Sequence, residues 1–136
     1  MTSMQITAMQ IAGLFTMKVA QAIPPPPDRA PRVVTLAPGG PVRVEDRVLA
    51  YDHPVFAFHA RAGDRLLLRL DDPTSTLMLA LEAPSGAQVL YGARPSAGGL
   101  QMLLSETGRW RASVLMEGDA ARVGARASFA LTLERR

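Results

Sequence analysis

The sequence predicts an all-β fold, an antiparallel and jelly-roll-like β-sandwich of about eight strands, on three observations. From Val33 onward apolar and polar residues alternate with a period of two, the spacing that sends successive side chains to opposite faces of a strand. The alternating runs are short and evenly spaced along the chain, as in sandwiches. Clusters of Gly, Pro, Asp and Ser, such as Arg61-Ala62-Gly63-Asp64 and Ala83-Pro84-Ser85-Gly86, separate most of them.

Residues 1–22, MTSMQITAMQIAGLFTMKVAQA, read as an export signal. Ile6 to Met17 is apolar and uncharged, and Ala20-Gln21-Ala22 has the small-x-small form that signal peptidase accepts. Lys18 follows the apolar run instead of preceding it, which departs from the usual pattern. The run is too short, and too interrupted by Gln and Thr, for a membrane-spanning helix of roughly 20 apolar residues. Residues 23–31, IPPPPDRAP, carry five prolines. Proline fixes φ and cannot donate a hydrogen bond, so this piece is expected to be an extended polyproline spacer that holds the domain clear of whatever precedes it.

The strand domain is expected over residues 32–136. VVTL is followed by a Pro38–Pro41 turn and VRVEDRVLAY, then by VFAFHA, LLLRL, LMLALEA, QVLYG, LQMLL, WRASVLM and FALTLE. Alternation assigns the inward faces to Phe56 and Phe58, to Leu66, Leu68 and Leu70, to Trp110, Ala112, Val114 and Met116, and to Phe129, Leu131 and Leu133. The alternate positions His59, Arg69, Arg109, Arg111, Ser113, Thr132 and Glu134 are polar and point outward. Asp119 to Arg126 is the least strand-like part and is expected to be a long loop with one helical turn.

Composition narrows the function. A chain of 136 residues can bury one modest core, and with aromatics at 5% that core must be mostly Leu, Val, Ala and Met. The absence of cysteine excludes disulfides, thiolate catalysis and Cys-ligated zinc. Net charge is +3, and all but one of the 15 basic residues are arginine. These arginines are spread along the chain among 12 acids, so no nucleic-acid partner is expected; they suit carboxylates that a forked guanidinium can grip.

No catalytic constellation emerges. His53 and His59, even with Asp52, fall below the usual metal ligand count. Asp71 and Asp72 are adjacent, so a strand points them to opposite faces; their place before Pro73 suits turn capping. No serine is framed as Gly-x-Ser-x-Gly, and no glycine-rich loop could cradle a phosphate. The chain is expected to be a non-enzyme without metal or cofactor.

Several motifs together carry a family resemblance. YDHPVFAFHARAGDRLLLRL, the Pro84-Ser85-Gly86 hairpin, TGRW at a strand start and the closing FALTLE resemble the bacterial pre-peptidase carboxy-terminal domain pattern. Within it, VVTLAPGGPVRVEDRVLAYD, ETGRW and VLMEGDAARVGARASFALTLE are similar to the periplasmic inhibitors of goose-type (g-type) lysozyme. The resemblance covers Arg32 to Glu134 and implies a β-sandwich, a periplasmic or secreted location and a lysozyme or other envelope protein as partner.

In those inhibitors a Ser-Gly-x-Tyr loop enters the lysozyme cleft. Carried over, Thr107 stands for the serine, Gly108 is retained, Arg109 is the variable position and Trp110 replaces the tyrosine without its phenol. Thr107, Gly108, Arg109 and Trp110, with Arg122 and the strand-end pair Tyr51 and Asp52, are therefore the candidate partner-binding residues. Alternatives stay open for four of them. Trp110 alternates with core residues and reads as a plug, which leaves recognition to Thr107–Arg109. Arg122 could tie its loop to backbone carbonyls or to Asp119 instead of meeting a partner, and Tyr51 and Asp52 could be either structural or recognition residues. The second functional reading is a stand-alone binding module for an envelope protein or glycan. A free edge strand would also let two copies pair into a homodimer.

Overall fold

The computed structural model describes residues 30–95 and 98–136. The signal-like segment 1–22 and residues 23–29 of the proline-rich stretch lie outside the described residues. Among the described residues nine strands and one short helix form: β1 (Arg32–Val33), β2 (Val42–Leu49), β3 (Val55–Ala60), β4 (Arg65–Asp71), β5 (Leu77–Glu82), β6 (Gln88–Ala93), β7 (Leu100–Leu103), β8 (Gly108–Met116), α1 (Gly118–Arg122) and β9 (Arg126–Arg135).

The strands form two sheets, one ordered β1-β3-β8-β5-β6 and the other β2-β9-β4-β7. Every pair is antiparallel except the two-residue β1, which runs parallel to β3. The expected VVTL strand is thus shorter than its alternation suggests. After Val33 the chain leaves that sheet's edge and crosses toward the other, where Pro38 bridges Arg135. Val34 and Leu36 are buried in the core on the way. Gly39 turns this crossover at φ 73°, with its amide donating to the Arg135 carbonyl at 2.7 Å.

The inward faces follow the alternation. Phe56, Phe58, Leu66, Leu68, Trp110, Ala112, Val114, Met116, Phe129, Leu131 and Leu133 are all buried, while Leu70 is partly covered at the rim. Across β3 and β8 the large Phe56 opposes the small Ala112, and two aromatics, Phe58 and Trp110, oppose each other. Phe56 from one sheet meets Phe129 from the other edge-on, with ring centroids 6.3 Å apart. That geometry suits the aromatic quadrupoles and adds to the burial energy.

Turn chemistry sets the ends of the strands. Asp72 accepts hydrogen bonds from the Thr74 amide at 3.0 Å and the Leu77 amide at 2.8 Å, closing the β4–β5 turn as a cap. Its partial burial alone would raise its pKa, but bonds from the Thr74 hydroxyl and the Leu77 and Thr74 amides outweigh this and hold the carboxyl below the usual range. The connection after β8 contains the expected helical turn: α1 follows at once, Gly124 turns at φ 74°, and β9 takes in Arg126, the last residue assigned to the loop.

Edge strands are blunted. β1 has two residues and β7 four. β6 is interrupted by two register shifts against β5, and β2 carries Arg43, Glu45, Asp46 and Arg47.

Trp110→Ala is expected to cost about 3–5 kcal/mol, the range for truncating a buried aromatic. Val89→Ala on exposed β6 should stay within about 0.5 kcal/mol. Urea unfolding followed by far-UV circular dichroism measures both.

Candidate functional site

The β7–β8 connection, Leu104 to Thr107, is fastened to two other turns at one end of the sandwich. Leu104, buried at the turn's base, accepts from the Gly63 amide at 2.8 Å and donates to the Asp64 carbonyl at 2.9 Å. Thr107 Oγ1 accepts from the Ala62 amide at 2.9 Å. Glu106 takes both hydrogen-bonding groups of Ser85 in the β5–β6 turn, the amide at 3.0 Å and the hydroxyl at 2.8 Å. The carbonyl of Glu106 accepts from Trp110 Nε1 at 3.1 Å.

The indole therefore does two things at once. Its ring is 1% exposed in the core, and its one donor secures the turn ahead of it. Trp110 is a plug and a brace; no part of it is presented to solvent.

Gly108 is required where it stands. Its φ is 145°, and a Cβ there would lie 2.9 Å from Pro84 Cβ, so the turn packs against the β5–β6 hairpin only because no side chain intervenes. Arg109 is exposed on the sheet's outer face, opposite His59 of β3. Among the described residues the Arg109 guanidinium enters no ion pair, whereas neighbouring Arg111 binds Glu82 at 3.2 Å. The turn thus presents a hydroxyl that can still donate, exposed backbone at Thr107 and a cation ready for an acidic partner.

A second anchor backs this end. Arg135 Nη1 binds Asp64 at 2.9 Å, while its Nε and Nη2 donate to the Leu36 carbonyl at 3.2 and 3.0 Å. The Arg61 amide, and after it the Arg135 guanidinium, hold the Asp64 carboxyl below the usual carboxylate range. One network joins the last strand, the crossover and the β3–β4 turn.

The seven expected site residues do not form one site. Thr107 to Trp110 begin β8, whereas Tyr51, Asp52 and Arg122 lie at the far end, beside the strand's last residue. The nine residues of β8 separate them by roughly 27 Å at about 3.4 Å per residue. Arg122 pairs with Asp119 at 2.6 Å on the surface of α1, the intraloop tie open to it from the sequence. Tyr51 is 48% exposed beside a trough shared with His53 and Tyr91. Glu106 and Ser85, which stiffen the turn, carry no sequence signal that pairs them; only the fold brings residues 21 apart together. Among the described residues no group of three or more His, Asp or Glu could hold a metal.

The described architecture matches solved structures over most of the chain. The periplasmic inhibitor of g-type lysozyme from Aeromonas hydrophila superposes with a TM-score of 0.62 at 17% identity, covering 79% of this chain and 100% of that one. The fold is that of the g-type lysozyme inhibitors. A mutant of the Escherichia coli inhibitor gives a TM-score of 0.63 at 15% identity, covering 79% of this chain and 100% of that one. A pre-peptidase carboxy-terminal domain of a Bacillus anthracis collagenase gives 0.52 at 9%, covering 79% and 99%. Both architectures that the sequence resembles are thus structural neighbours. The chain matches no family model and no curated protein.

Because the folded pKa of Asp64 lies below its unfolded value, its contribution to stability is present above about pH 4 and is lost as pH falls through the lower folded value. Asp64→Asn is expected to lower the urea midpoint at pH 7, and the two proteins should converge progressively below about pH 4. A gap that persists unchanged into acid would mean that the carboxylate charge is not what holds this end.

Proposed function

We propose that the protein is a periplasmic or secreted, non-enzymatic inhibitor of a g-type lysozyme, and that it acts by placing the Thr107–Arg109 turn in the enzyme's cleft. The observation that carries this reading is the match along the full length of the inhibitor structures, with a braced, cation-bearing turn at the strand start that ETGRW occupies. A structure likeness by itself speaks for the fold; the chemistry of the turn adds the direction.

Glycosidase clefts hold carboxylates around a bond in an uncharged sugar chain. Arg109 would fork onto such a carboxylate, while the Thr107 hydroxyl and neighbouring backbone supply neutral hydrogen bonds. Bracing by Glu106, Ser85 and Ala62 removes freedom from the turn before binding, which lowers the ordering cost. Inhibition would then be occlusion with charge pairing and no bond making. Among the described residues no helix is long and apolar enough to cross a membrane.

One observation favours a second reading. Trp110 is buried and bound to Glu106, so no aromatic hydroxyl stands at the turn, and the likeness extends to a pre-peptidase carboxy-terminal domain. A stand-alone module docking an envelope protein without inhibiting it would fit both facts.

In a cell-wall lysis assay the purified protein is expected to inhibit goose-type lysozyme selectively over chicken-type lysozyme. The Thr107→Ala, Arg109→Glu double variant should weaken inhibition about 10- to 100-fold with an unchanged melting temperature. Tight binding to the goose-type enzyme with undiminished lysis would favour the docking module, and absence of binding at micromolar concentration would remove the inhibitor reading.

A further inference from the structure

The far end of the molecule carries a trough of about 450 Å³ on the outer face of the five-stranded sheet. Its floor has a simple origin in side-chain size. Ser113 of β8, Ala80 of β5 and Tyr91 of β6 are cross-strand partners in one row. On one side of this row the Arg111–Glu82 ion pair stands up, and on the other Leu115 and Met78. Two small residues between longer ones leave a depression crossing the strands.

Both tyrosines of the chain flank it. Tyr91 is 66% exposed on edge strand β6, and Tyr51 is 48% exposed on the β2–β3 turn. That turn is closed by the Asp52 amide donating to the Leu49 carbonyl at 3.0 Å, with Ala50 held at φ 53°, a conformation that costs a residue with a Cβ. His53 Nδ1 lies 3.2 Å from the Tyr51 carbonyl, which can only accept, so Nδ1 donates to it and Nε2 is left for a ligand.

The lining selects a ligand chemistry. No Lys or Arg lines the trough itself, Arg111 at its rim is paired with Glu82, and the Asp52 carboxylate is part of the lining, all of which disfavours phosphate, sulfate or a polyanion. Beside that one carboxylate, two phenols, the Ser113 hydroxyl, the Gln88 amide and the His53 ring supply donors and acceptors. Exposed aromatic rings beside such groups suit a ligand with both C–H faces and many hydroxyls. We propose that this trough binds a short segment of an uncharged saccharide, with Tyr51 and Tyr91 against its ring faces and Gln88, Ser113 and His53 on its hydroxyls. The floor at Ser113 lies six residues from Thr107, roughly 20 Å along β8, so the site is separate from that turn and independent of lysozyme inhibition.

Isothermal titration of the intact protein with chitotetraose, cellotetraose and maltotetraose tests it. At least one is expected to bind saturably, and Tyr91→Ala and Ser113→Leu, which removes a wall and fills the floor, should each weaken binding about tenfold or more. Melting curves within a few degrees of the parent would exclude misfolding, and the Thr107→Ala, Arg109→Glu variant should bind sugar normally whatever its effect on lysozyme. Absence of saturable binding by all three sugars at millimolar concentration, or binding that neither trough variant changes, would overturn the proposal.

Discussion

The register of β8 is the constraint on which the rest of the structure depends. It pairs with β3 on one side and β5 on the other, and runs from the braced turn at Thr107 to the helix at Gly118. Trp110 sets its phase, with its ring in the core and its indole N–H on Glu106. A slip of one residue would drive Arg109 and Arg111 inward and expose the tryptophan, so the register is strongly specified. With it fixed, the Glu106–Ser85 bonds fall into place ahead of the strand and the small-residue row at Ser113 and Ala80 along its outer face.

Much of this is legible in the chain because burial imposes a period. The inward positions of β3, β4, β8 and β9 can be read by alternation, since a polar group there would lose its water without a partner. Asp72 as a turn cap follows from its place before proline. Other features escape for physical reasons. Val33 to Leu36 alternates like a strand, yet those residues serve the core while the chain crosses between sheets, so the pattern reports burial and not pairing. Ala57 and Ala80 face outward but are buried, because longer neighbours cover them, and alternation carries no information about lateral cover.

The candidate site is legible only in part. ETGRW marks a turn and its strand, but nothing in it tells that Glu106 binds Ser85 or that Thr107 binds the Ala62 amide, contacts made by residues 21 and 45 positions apart. That Tyr51, Asp52 and Arg122 lie at the other end from Thr107 escapes the sequence for a related reason. Which loops share an end depends on strand direction and sheet order, and that order is an outcome of tertiary packing.

The structure thus divides labour along one strand. One end is stiff and presents a cation, while further along the outer face lies a shallow trough flanked by the two tyrosines. That division suits the proposed inhibitor, in which rigidity at the Thr107 turn would lower the cost of association. The most direct measurement of the central claim is amide chemical-shift mapping of the isotope-labelled protein titrated with a catalytically inactive goose-type lysozyme. The account predicts perturbations concentrated at Thr107–Arg109 and at the turns bound to it, Ala62–Gly63 and Ser85–Gly86. Perturbations confined to Tyr51, Tyr91 and Ser113, or none at all, would contradict it.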